Sequence, residues 1–142
     1  MAGIFRGAGD RRSLHRLTRL ALATGTAFAV AFVAVLLLVP GPVLALLTSH
    51  ADIARRAADG LGWLALVAVL GSIAYVYDGL FLGLTAGRAL RNTMLLSLAV
   101  FLAVAGVAVG SSSNSLLWLA MAVFMATRAA TLGWASRALL AD

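Results

Sequence analysis

The 142-residue sequence contains no cysteine, no lysine and no glutamate, and all five of its acidic residues are aspartate. Without cysteine there is no disulfide, no thiolate nucleophile and no Cys-based metal site. The two histidines, His15 and His50, are isolated from each other and from any ligand at metal spacing. No convergent nucleophile and base can be assembled from what remains, so enzyme activity is disfavoured and no metal or organic cofactor is expected. Gly7-Ala8-Gly9-Asp10 has neither the preceding strand nor the trailing lysine of a phosphate loop, which argues against nucleotide binding.

What is abundant is apolar. Hydrophobic residues make up 63% of the chain and charged residues only 11%, with a mean hydropathy of +1.03. These values lie far outside the averages of soluble domains and identify an integral membrane protein. At about 20 apolar residues per spanning helix, the length supplies four spans with short loops and no separate soluble module. The expected class is therefore an all-α membrane protein, a single transmembrane domain over 1–142. Its spans are expected at 20–39, 61–84, 93–109 and 116–134, after an Arg-rich segment 1–19.

Punctuation supports this division. Asp10 or Ser13 is placed to cap the turn that begins the first helix, and Pro40-Gly41-Pro42 ends it, because proline removes a backbone donor and bars continuation. Ser49-His50-Ala51-Asp52 has capping-box spacing ahead of a short interfacial segment carrying Arg55, Arg56 and Asp59. Trp63 anchors the entrance of the second span at the interface. Gly110-Ser111-Ser112-Ser113-Asn114-Ser115 is an uncharged turn between the last two spans.

The net charge of +6 comes wholly from eleven arginines. In this context it reads as topology rather than nucleic-acid binding. Arg6, Arg11, Arg12, Arg16, Arg19, Arg88, Arg91 and Arg137 fall on one side, against Arg55 and Arg56 on the other. By the positive-inside rule both termini are cytoplasmic, and the expected location is the inner (plasma) membrane of a bacterium.

Asp78 stands apart, an acid deep within an apolar span, where a charge is costly unless it is protonated, paired or facing water. It is the candidate for binding a coupling ion or proton; the plainer reading is a paired structural residue. Arg128 lies at similar depth on another helix running in the same direction, within reach as a charge partner. Its stem can instead snorkel to the headgroups past Arg137. Snorkelling is the favoured expectation, and it would leave Asp78 free to load and release a proton. Tyr75 and Tyr77 either line a cavity or lie at the interface. Gly79, Gly83 and Gly87 form consecutive G-x-x-x-G spacings suited to close helix packing.

These features resemble a family. Gly7-Ala8-Gly9-Asp10 before an Arg-rich helix, Tyr77-Asp78-Gly79-Leu80-Phe81-Leu82-Gly83 at the inner end of a span, Leu90-Arg91-Asn92-Thr93-Met94 opening the next and Phe124-Met125-Ala126-Thr127-Arg128 in the last are similar, in order and spacing, to the multidrug and toxic compound extrusion (MATE) transporters, DinF-like branch. The resemblance implies two six-helix lobes that export organic, often cationic, compounds against inward Na⁺ or H⁺ flow. This chain resembles the last four helices, part of the C-terminal lobe. Some members place an acidic cation ligand on the tenth helix, a position that Asp78 matches. The expected role is thus a fragment or partial subunit of a coupled multidrug antiporter, truncated or split. Its partners would be membrane lipid, a separate N-terminal lobe and small organic cations, with no nucleic acid. The alternative is a stand-alone small membrane protein with an interaction or scaffold role.

Overall fold

A computed structural model of the chain describes residues 2–47, 50, 58–111 and 113–141. The described residues form six helices: α1 Ala2–Gly7, α2 Arg11–Leu38, α3 Pro40–Leu47, α4 Leu61–Gly83, α5 Gly87–Gly110 and α6 Asn114–Ala141. Four of them, α2, α4, α5 and α6 to Arg137, are long and apolar enough to cross a membrane. Asp52, Arg55, Arg56 and Ser112, which figure in the expected interfacial segment and last turn, lie outside the described residues.

Each break has a local cause. Gly9, at φ 68°, turns the chain out of α1, and the Asp10 carboxylate then accepts the Ser13 backbone N–H at 3.0 Å as the N-cap of α2. The Gly-Asp pair is a helix-to-helix turn. α2 stops at Leu38, and Pro40 opens α3, a first-turn position where its missing N–H costs nothing. Thr85, at φ 55°, ends α4 in the left-handed region, with the Ala86 N–H reaching back to the Phe81 carbonyl at 2.9 Å. The Ser113 hydroxyl accepts the Leu116 N–H to start α6.

The spanning helices pack in the order α2, α4, α6, α5. The two central helices therefore run parallel, with α5 returning between them in sequence but lying outside them in space. Burial follows this order. Of the most apolar stretch, 28% is buried in α4 and 22% in α6, against 6% in α2 and 11% in α5, so the outer pair turns its apolar surface outward. Phe28, Phe32, Leu95, Leu102 and Val109 are all exposed there, as suits side chains whose solvent is hydrocarbon.

The Arg-bearing ends converge. Leu14 of α2 clusters with Ala2, Leu80 and Leu84. Gly3 of α1 lies so close to α4 that a Cβ there would stand 2.7 Å from the Gly83 carbonyl oxygen. At the other end Leu36, Leu44 and Leu61 join α2, α3 and α4.

The glycine ladder needs correction. Gly83 meets Ala2, but nothing lies within 4 Å of a Cβ on Gly79 or Gly87. The G-x-x-x-G spacing runs past the end of the span, and the turn at Thr85 puts Gly87 on the next helix. Close approach instead uses Gly3, and Gly25, whose added Cβ would stand 2.8 Å from Val76 Cγ2.

Candidate functional site

The Asp78 carboxylate sits on α4 about 8 Å, five residues, before the helix end. It faces α6. Arg128 meets it with both edges of its fork: Nη2 donates to Oδ1 at 2.8 Å and Nε donates to Oδ2 at 3.3 Å. The third nitrogen, Nη1, donates to the Met94 Sδ on α5 at 2.6 Å. One ion pair thus joins the two central helices, and a thioether from the third closes over it.

The expectation that Arg128 snorkels is overturned. The side chains of Arg128 and Asp78 are only 10% and 19% exposed. The reason is competition: an arginine on a spanning helix reaches for headgroups when it has no nearer acceptor, but a carboxylate at the same depth on the adjoining parallel helix supplies two acceptor oxygens at bidentate spacing. Pairing also solves the problem of Asp78, since neither group is left bare in hydrocarbon.

Neighbouring polar groups are satisfied within their own helices. Thr131 Oγ1 donates to the Thr127 and Arg128 carbonyls, and the fully buried Ser97 hydroxyl donates to the Thr93 carbonyl. They add no ligand to the pair. One turn beyond Arg128, Phe124 meets Phe101 edge to face, with centroids 5.8 Å apart and planes at 71°, which fixes α5 against α6. That contact helps to hold Met94 over the guanidinium.

The two tyrosines have different surroundings. Tyr75 is 63% exposed on the outer surface of α4. Tyr77 packs near Leu14, Leu80 and Leu84 and rests its ring about 3.6 Å from a Cβ placed on Gly133 of α6. Tyr77 is thus a spacer between α4 and α6 one residue from the acid. A cavity of about 710 Å³ opens at the opposite end between Asp59, Trp63, Phe101 and Trp118, and neither Asp78 nor Arg128 lines it. Among the described residues no three His, Asp or Glu side chains converge as metal ligands.

Met94 was not foreseen as a partner. Its only sequence signal was its place in the Leu90-Arg91-Asn92-Thr93-Met94 stretch, and a thioether among apolar residues carries no mark of contact with a cation.

Four apolar helices long enough to span a bilayer, with a buried Asp78–Arg128 pair between the central two, define an integral membrane protein. Residues 1–105 match the MatE family, and the chain belongs to it. The DNA damage-inducible protein F of Escherichia coli (strain K12) is 35% identical over 95 residues, covering 67% of this chain and 21% of that protein. The chain thus spans about a fifth of the length of the curated relative it matches. MATE proteins are transporters rather than enzymes. The family match includes Asp78 and Met94, while Arg128 lies beyond it. No solved structure is significantly similar to the chain.

Proposed function

We propose that this chain supplies the ion-coupling element of a MATE-type, DinF-like efflux antiporter, as a fragment or partial subunit working with further transporter helices. In this reading Asp78 binds the coupling H⁺ or Na⁺, and Arg128 is its internal counter-ion. The observation that supports it is the bidentate pair itself, placed between two spanning helices. In the resting pair the Arg128 guanidinium occupies both carboxylate oxygens of Asp78. Opening α4 against α6 separates the groups and exposes a carboxylate that a cation or proton can then neutralise. Substrates would be small organic, often cationic, compounds. The location would be the bacterial inner membrane with both termini cytoplasmic.

The test uses an assembly restored with an N-terminal lobe in vesicles carrying an imposed Na⁺ or H⁺ gradient. Asp78→Asn is expected to abolish gradient-driven export while leaving insertion intact. Arg128→Lys keeps the charge but loses the fork, and is expected to reduce coupling without abolishing it. The 142-residue chain alone is expected to insert without coupled export. Unimpaired export by Asp78→Asn would make the pair structural and move coupling to other helices.

A further inference from the structure

The first turns of α2 carry cations on one side only. Arg11, Arg12, His15, Arg16 and Arg19 line a shallow cavity of about 460 Å³ that Leu20 completes. The opposite side carries Leu14 and Thr18, 4% and 7% exposed, and Leu14 is locked into the cluster with Leu80 and Leu84. The cationic side cannot turn away without opening that cluster.

Its depth is fixed as well. From Leu20 to Leu38 the helix rises about 28 Å, close to the roughly 30 Å hydrocarbon thickness of a bilayer. Arg19 therefore stands at the hydrocarbon border, Arg16 within the headgroup layer and Arg12 about 10 Å outside the border. Asp10, the carboxylate nearest in sequence, is engaged as the helix cap. Among the described residues Arg12, Arg16 and Arg19 form no salt bridge, and the Arg12 charge is the smallest of the influences on the Asp10 carboxyl. On the same side the surface continues as the exposed apolar residues Leu20 and Val30.

We propose that this face of α2 is a binding site for anionic phospholipid, the lipid phosphate accepting N–H donors from Arg12, Arg16 and Arg19 while an acyl chain runs along Leu20 and Val30. A lipid fits better than a soluble anion because the basic surface passes directly into an apolar one at the border of the hydrocarbon. This site is separate from the Asp78–Arg128 pair and does not depend on transport.

The experiment places the whole chain in phosphatidylcholine vesicles with a trace of spin-labelled phosphatidylglycerol or spin-labelled phosphatidylcholine, and reads the protein-bound fraction of each label. Phosphatidylglycerol is expected to be preferred. Replacing Arg12, Arg16 and Arg19 by glutamine should remove the preference, each arginine accounting for up to about fivefold. The triple lysine variant should retain most of it, which separates loss of charge from loss of fold. Arg88→Gln with Arg91→Gln, on the same side of the bundle, should leave it largely intact. No preference in the parent chain would overturn the site, as would equal loss in the Arg88/Arg91 variant. Displacement of the labelled lipid by inorganic phosphate at matched ionic strength would reassign it to a free anion.

Discussion

Asp78 and Arg128 must be considered together, because each makes the other tolerable. Removing one member of a buried pair leaves an uncompensated charge and costs about 3 to 5 kcal/mol, whereas replacing both by apolar or neutral groups of similar shape is often close to neutral. Arg128→Met is therefore expected to destabilise the bundle more than Asp78→Asn with Arg128→Met combined. Unfolding in mild detergent, followed by circular dichroism through the full double-mutant cycle, measures the coupling. Additivity of the two single changes would mean that the pair contributes nothing. The acid was legible in the sequence from its depth alone, and so was the matching depth of Arg128. Their contact was not, because α6 is apolar on nearly every side and its hydrophobic pattern does not fix its rotation.

A second residue-scale prediction concerns Asp10, outside the spanning segments. The Ser13 hydroxyl and then the Ser13 backbone N–H hold its carboxyl below the ordinary value of 3.8. Since the folded value is depressed, the capping contribution is complete above the unfolded carboxylate range and is lost as pH falls through the folded value. The carboxyl ¹³C shift of Asp10 in micelles should titrate below the ordinary midpoint, and Ser13→Ala should move that midpoint upward. An unshifted midpoint in the parent chain would exclude the cap.

The helices themselves were readable because the signals that bound them are local: Pro40 after α2, the arginines in the first turns of α5, and the serines before α6. The second span was expected to end at 84, but the form of the turn between α4 and α5 was not legible. Leu84-Thr85-Ala86 contains neither glycine nor proline, yet Thr85 takes a left-handed conformation that costs an L-residue roughly 1 to 2 kcal/mol. Thr85→Gly should relieve it and raise the midpoint of thermal unfolding. The same break explains why the glycine spacing misled, and it gives a graded series. Gly79→Ala and Gly87→Ala meet open space and should be tolerated, with Gly79→Ala gaining up to about 1 kcal/mol of helix propensity. Gly3→Ala would drive a methyl onto the Gly83 carbonyl and should release α1 from α4, seen as faster proteolysis near Gly9. Marked destabilisation by Gly79→Ala and Gly87→Ala would show that these glycines do pack against a neighbour.

At the scale of the molecule, the packing order puts the N-terminal end of α2, the turn from α4 to α5 and the end of α6 on one side of the bundle. That side holds Arg6, Arg12, Arg16, Arg19, Arg88, Arg91 and Arg137. In the proposed orientation this side stays cytoplasmic, since moving arginines across the hydrocarbon is costly. The chain has no native cysteine, so single introduced thiols report without background. Ser13→Cys lies on the Arg-rich side and Ser111→Cys, at the end of α5, on the other. An impermeant thiol reagent applied to intact cells should label Ser111→Cys and spare Ser13→Cys until the membrane is opened. The reverse pattern would invert the bundle and put Asp78 nearer the outer surface.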